Sequence, residues 1–187
     1  SFLRFFEKNN GQEFLDHHSL PSSKWSNGGM NRILRYHGYD IVDAKTRIGR
    51  ASLIALDNIF QLKFLSRSYS DELPQLYGGS TWWSLTRECV QYVVRVAETN
   101  QELFNRFRHC FCAEEMFFHT VIMNSEFRFQ VMNNCQRYID WRYQHGSCPA
   151  ILDSKDYQAL TRSDKLFARK FDSAWSDTLR KKIERVH

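Results

Sequence analysis

The order of apolar and polar positions along the chain predicts a succession of short elements. Residues 2–9 set Phe2, Leu3, Phe5 and Phe6 among Arg4, Glu7 and Lys8, the spacing of an amphipathic helix. Glu13 to His17 reads as a short strand, and LPSSKWSNGGM (20–30) as a loop. NRILRYHGY (31–39) is expected to be a strand that ends near Gly38, and residues 50–63 a helix, with a break at Asp71 to Pro74. YGGSTWWSL (77–85) reads as a turn into a strand, with Gly78 and Gly79 permitting close backbone approach. In TRECVQYVVRVAET (86–99), Cys89, Val93, Val96 and Ala97 share one helical face, and a second helix follows over 101–108. QRYIDWRY (136–143) is an expected strand, 156–160 a short helix, KLFARKF (165–171) a strand or turn, and 174–186 a last helix. Strands alternating with helices imply an α/β or mixed-sheet domain. No glycine-rich phosphate loop follows any strand, which excludes a Rossmann or P-loop reading.

One stretch does not reduce to packing. In CAEEMFFHT (112–120), Glu114 and Glu115 stand directly before an apolar run in which Phe117 and Val121, and Phe118 and Ile122, are four apart. Acids there complement the dipole and the unpaired N–H groups at a helix start. Equally, an acid at the edge of a cleft lined by aromatics is a candidate general base. Position alone leaves both open.

Composition narrows the classes. At 187 residues the chain suffices for one domain with a sizeable core, and 42% hydrophobic with 15% aromatic residues argues against disorder. No internal repeat, low-complexity segment or signal peptide is visible, and no apolar run approaches the roughly 20 residues of a membrane span. The net charge of +5 favours an anionic partner. Nucleic acid is not indicated, since the basic residues are scattered and the one dense cluster, Arg180, Lys181, Lys182 and Arg185, reads as a solvated helix face. Cys89, Cys110, Cys112, Cys135 and Cys148 are odd in number and irregular in spacing, so neither a disulfide framework nor a zinc site is expected, and a reducing compartment is the simpler reading. His17 and His18 are neighbours that a strand would point to opposite faces. Asp-x-Asp, the usual metal clamp for a nucleotide diphosphate, is absent, as are N-glycosylation acceptors.

YGGSTWWSLTRECVQYVV, AEEMFFHTVI, RYIDWRY and SDKLFARKFD occur in this order. Together they resemble the core-2/I-branching β-1,6-N-acetylglucosaminyltransferase family, its bacterial branch in particular, over most of the chain. The resemblance implies a GT-A-type α/β fold with a mixed sheet and an inverting transfer from a UDP-sugar, usually UDP-N-acetylglucosamine, with no metal or other cofactor. In the family's acidic-Glu-x-aromatic-x-x-Thr motif the second acid is the base. Here it is Glu115, with Thr120 closing the motif and Glu114 left as the helix-start acid. The lysine of Phe-Ala-x-Lys-Phe, here Lys170, contacts the donor diphosphate, with Arg169 beside it. A further family arginine falls in register at Ser147, and Arg142 is a substitute. Trp-x-Tyr, here Trp141 and Tyr143, touches the acceptor sugar.

Residue chemistry agrees with these roles. Extended geometry would put Ile139, Trp141 and Tyr143 on one face, opposite Tyr138, Asp140 and Arg142. An indole and a phenol together suit a sugar's apolar side. It would also set Lys170 with Ala168, opposite Arg169, and without Mg²⁺ a fixed cation must neutralise a diphosphate leaving group. The family's preceding portion, which holds the uridine, has no counterpart here. The expectation is therefore one domain over 1–187, the C-terminal, acceptor-side catalytic part of a glycosyltransferase. It would have an incomplete uridine pocket, a tendency to self-associate, and UDP-sugar and carbohydrate acceptor as partners. The expected location is the bacterial cytoplasm, peripheral to the membrane, or the Golgi lumen if the source is eukaryotic. The alternatives are a non-catalytic carbohydrate-binding remnant and a xylosyltransferase, since related enzymes use xylose.

Overall fold

The computed structural model describes residues 2–38, 42–43, 45–60, 67 and 73–185. It divides into two compact units, a larger one over residues 11–133 and a smaller one formed by 1–10 with 134–187. Both mix helices with two-stranded sheets, so the chain is mixed α/β.

In the larger unit, β1 (Glu13–Phe14) pairs in parallel with β4 (Val131–Met132) and on its other edge exchanges hydrogen bonds with Ser84. β2 (His17–Ser19) pairs antiparallel with β3 (Tyr77–Gly79), setting His17 opposite Gly79 and His18 opposite Gly78. The two histidines take different aromatic neighbours, Tyr77 for His17 and Trp25 for His18. α3 spans Arg47–Phe60. α4 (Arg87–Thr99) begins where Thr86 accepts a hydrogen bond from the N–H of Cys89, and it buries Cys89 and Val93. Asn100 then serves two helices. Its N–H closes α4 on the carbonyl of Val96, and its side chain accepts from the N–H of Leu103 to open α5 (Gln101–Phe107). The buried carboxylate of Glu13 accepts from both the N–H and the hydroxyl of Thr86, tying β1 to the start of α4.

α6 (Phe117–Met123) runs through the core, with Phe117, His119, Thr120, Val121 and Ile122 all buried. Thr120 is satisfied by the backbone of Tyr77, donating to its carbonyl and accepting from its N–H. β3 can lie this close because a Cβ on Gly79 would fall on the Asp16 carbonyl and 2.8 Å from Nε2 of His119. The expected close approach at the glycine pair is therefore found, though the strand is the YGG itself and not the residues after it.

The smaller unit holds α1 (Phe2–Lys8), α7 (Tyr157–Arg162), α8 (Asp177–Glu184) and the parallel pair β5 (Arg137–Ile139) with β6 (Phe167–Arg169). On α8, Arg180 and Lys181 both pair with Asp177, as a solvated helix face does.

Three expectations change. NRIL is a helical turn, α2 (Asn31–Leu34), and not a strand, because Ile33 and Leu34 both close on the Met30 carbonyl and Ile33 is the side chain taken into the core. The expected strand 13–17 is split, β1 and β2 facing different partners. The expected strand to Tyr143 stops at Ile139, where its partner β6 ends. Residues 61–63 of the expected helix over 50–63, Tyr39, Asp71 and Val186 lie outside the described residues. No helix among the described residues is long and apolar enough to cross a membrane.

Two outcomes follow from the enclosure of α6. Gly79→Ala is expected to lower the unfolding free energy by at least about 2 kcal/mol, because the obstacle is a backbone carbonyl that cannot swing aside; urea denaturation measures it. Burial also pushes the His119 imidazole from 6.5 down to about 4. The unfolded chain thus binds a proton below pH 6.5 that the folded chain refuses until about pH 4. The stability linked to neutral His119 is complete above pH 6.5 and is lost as pH falls from there toward 4. Between pH 7 and pH 5 the wild type is expected to lose about 2 kcal/mol more than His119→Gln. Urea unfolding of both proteins at the two pH values tests this, and parallel losses would refute it.

Candidate active site

The local fold separates the two acids. Cys112 takes a left-handed backbone (φ 50°), residues Ala113–Glu115 make one 3-10 turn, and Met116 (φ −126°, ψ −42°) breaks it from α6 while burying its side chain completely. The acids therefore sit on a turn at the entrance to α6. Glu114 is exposed. Glu115 is partly buried and faces α2, where Nη1 of Arg32 donates to its Oε2 at 2.6 Å.

Arg32 is held in turn. Its guanidinium carbon lies 3.8 Å from the ring centre of Trp25, a stacked cation–π contact, with Phe111 at 5.6 Å. Trp25 lies against backbone that carries no side chain, since a Cβ at Gly78 or Gly29 would overlap its ring. His18 meets the same ring edge-on at 5.0 Å. A loop tryptophan, two glycines and one turn of helix thus aim a single arginine at Glu115, 83 residues away in sequence. Oε1 of Glu115 has no hydrogen-bond partner among the described residues. Burial, with the carboxylates of Glu115 and Glu114, pushes the Cys112 thiol up, so it is not a ready nucleophile. His119 is enclosed in the core and takes no part in this surface.

The other predicted residues belong to the smaller unit. Beyond Ile139 the chain keeps an alternating direction without being a strand. Trp141 and Tyr143 are 70% and 77% exposed, while Arg142 bonds Asp140 and Asp156, and Gln144 bonds Asp156. Arg142 bridges two carboxylates, Asp140 at 2.6 Å and Asp156 at 2.7 Å, which raise its pKa and, on the Asp140 side, hold that carboxyl below its usual range. Its charge is engaged within the loop. Nζ of Lys170 donates to Oγ of Ser147 at 2.9 Å, and the Ser147 hydroxyl donates to the Pro149 carbonyl. The lysine backbone is laddered between Ala150 and Leu152. Arg169 ends β6, next to Lys170 in the chain. Nearby, His145 stacks flat on Trp175 at 3.9 Å and hydrogen-bonds Asp153 at 2.9 Å.

The unit boundary leaves Glu115 in the larger unit and Trp141, Arg142, Tyr143, Arg169 and Lys170 together in the smaller. Three residues were not foreseen: Trp25, Arg32 and Asp156. The first two lie far from Glu115 in sequence, in a segment read as loop and strand. The pairing of Lys170 with Ser147 was foreshadowed only by the register that puts Ser147 at a family arginine's place. All five cysteines are free. Among the described residues, no three His, Cys, Asp or Glu side chains are gathered as a metal site.

Comparison with known proteins extends over the same residues. The chain is similar to the xylosyltransferase oxt of Drosophila melanogaster, 32% identical over 117 residues, 52% of this chain and 13% of that protein. It is also similar to xylosyltransferase 2 of Homo sapiens, 26% identical over 191 residues, 91% of this chain and 19% of that one. Against xylosyltransferase sqv-6 of Caenorhabditis briggsae it is 23% identical over 196 residues, 92% of this chain and 21% of that one. The chain thus spans about a fifth or less of the length of these relatives. A family model described as Core-2/I-Branching enzyme matches residues 3–164, a span that takes in both the Arg32–Glu115 pair and the Trp141–Ser147 loop, and the chain therefore belongs to the Core-2/I-Branching enzyme family.

Proposed function

We propose that the chain is the acceptor-side catalytic part of an inverting, metal-independent glycosyltransferase of GT-A type, which moves a sugar from a UDP-sugar to a hydroxyl of a carbohydrate acceptor. The observation that carries this reading is the state of Glu115. One carboxylate oxygen is fixed by Arg32, and the other has no hydrogen-bond partner among the described residues, an orientation suited to taking a proton from an incoming hydroxyl.

In the proposed step the acceptor oxygen attacks C1 of the donor sugar on the face opposite the leaving group, and its proton passes to Oε1 of Glu115. The C1–O bond to UDP breaks, and the electron pair leaves on the diphosphate. A cation must meet that charge. Lys170 is assigned this role, with Arg169 beside it. Arg142, occupied by Asp140 and Asp156, is the weaker candidate. Trp141 and Tyr143 present the aromatic surface that a pyranose face packs on.

N-acetylglucosamine is the donor sugar that the family resemblance implies. Xylose is the second reading, supported by the relatives named xylosyltransferases, two of which match more than nine-tenths of the chain. Release of UDP from UDP-N-acetylglucosamine and from UDP-xylose, compared at equal concentration, decides between them. Turnover of neither by the full-length protein, with no heat of UDP binding, would overturn the transferase reading in favour of a non-catalytic carbohydrate-binding module.

Glu115→Gln keeps the shape and removes the proton acceptor, so in the full-length enzyme it is expected to reduce kcat by about 10²-fold or more with donor affinity nearly unchanged. Steady-state kinetics with calorimetry of UDP binding checks this. Loss of activity in Glu114→Gln instead would identify the other acid. Because the chain lacks Asp-x-Asp and a fixed lysine is available, activity is expected to survive excess EDTA; activity lost in EDTA and restored by Mn²⁺ would refute metal independence.

A further inference from the structure

Trp141 and Tyr143 present a puzzle of their own. Both are largely exposed, and neither lies in a ladder, since β5 ends at Ile139. Such side chains would swing with their backbone unless the backbone is fixed another way. The fixing is done by side chains. Oδ1 of Asp156 accepts from Nη2 of Arg142, and Oδ2 accepts from Nε2 of Gln144 at 3.0 Å and from the N–H of Asp153 at 2.9 Å. The same Gln144 amide donates to the Ile151 carbonyl at 2.8 Å. Asp140 accepts from the N–H and guanidinium of Arg142, and its carbonyl accepts from Ala150. Gln144 and Ser147 then exchange backbone hydrogen bonds, closing the loop on the serine that holds Lys170. Anchors at 140, 142 and 144 alternate with the aromatic residues at 141 and 143. Arg142 and Gln144 bond Asp156 directly, Asp140 reaches it through Arg142, and Asp156 is only 5% exposed.

We propose that Asp156 is a positioning residue for the acceptor. Its carboxylate stands in for the missing strand partner and fixes the direction in which Trp141 and Tyr143 are presented, and Arg142 is a strut of this assembly and not a ligand of the donor diphosphate. The inference rests on the assignment of those two aromatics to the acceptor. An acid is required there. The three donors from Arg142, Gln144 and Asp153 approach both oxygens, and an amide of the same shape would turn an NH₂ toward one of those sets and leave it unpaired. Burial makes that loss expensive, because water cannot substitute.

The test uses Asp156→Asn and Gln144→Ala; the second removes a loop anchor while sparing the contact between the Asp156 carboxylate and the N–H of Asp153. Arg142→Ala is run beside them. Transfer is assayed with the donor that the wild type turns over and methyl β-D-galactopyranoside as acceptor probe. Hydrolysis of the same donor to water is recorded without acceptor. Asp156→Asn and Gln144→Ala are expected to raise the KM for the galactoside at least fivefold. Hydrolysis and donor KM should change by a smaller factor than the galactoside KM, because the backbone of Lys170 keeps its own hydrogen bonds to Ala150 and Leu152. A structural defect alone would lower hydrolysis and transfer in parallel, and that result, or an unchanged galactoside KM, overturns the proposal. A donor KM raised in Arg142→Ala with galactoside KM unchanged would return Arg142 to the diphosphate.

Hydrogen exchange separates this inference from the reading it rests on. The hydrogen-bonded amides of Arg142, Gln144 and Ser147 are expected to exchange at least tenfold faster in Asp156→Asn, with those of 117–123 unchanged. If the wild type transfers to no acceptor, the transferase reading fails while this exchange result still stands. If the loop amides do not change, Asp156 does not position the loop, whatever the activity.

Discussion

The larger unit depends on the enclosure of α6. Five of its seven residues are buried, Thr120 and His119 among them, so the helix has almost no face to give to water. Everything packed against it must then supply partners or space. Tyr77 supplies the partner, offering both backbone groups to the Thr120 hydroxyl. Gly79 supplies the space, since any side chain there would meet the Asp16 carbonyl. The acids are consequences of the same constraint. With Met116 drawn fully inside, the turn before it is pushed to the surface, and Glu115 emerges where Arg32 can reach it.

The two units fix their chemistry in different ways. In the larger unit, aromatic stacking does the work, with Trp25 lying on glycine and Arg32 lying on Trp25. In the smaller unit, hydrogen bonds to carboxylates do it, through Asp140, Asp153 and Asp156. The first solution excludes water from one side of a guanidinium. The second rests on the buried carboxylate of Asp156, and it leaves the neighbouring Trp141 and Tyr143 exposed.

Much of the fold was legible where a signal is local. Thr86 and Asn100 sit at helix starts, and the apolar faces of α4 and α5 follow at helical spacing, so both helices could be read directly. The acids of 112–120 were legible as a candidate site, and the family resemblance singled out Glu115. What could not be read depends on distant partners. NRIL carries no pattern that distinguishes one helical turn from a strand; the decision lies with the pocket that receives Ile33. The strand expected to reach Tyr143 ended early because β6 is short, a fact about another segment. Arg32 and Asp156 were missed for the same reason, since each acquires its role through contacts that no spacing rule encodes.

Asn100 carries a consequence for how this chain can vary. It ends α4 and begins α5 with no spare residue between them, so the corner has no slack. A strong helix former at this position would let Arg87–Phe107 run on as one rod. An inserted residue would rotate the face of α5 by about 100°, turning Leu103 and Phe107 out of the core they now help to fill. Insertions and deletions are usually absorbed between helices. Here that joint is among the places least able to accept them, since Asn100 caps both helices at once.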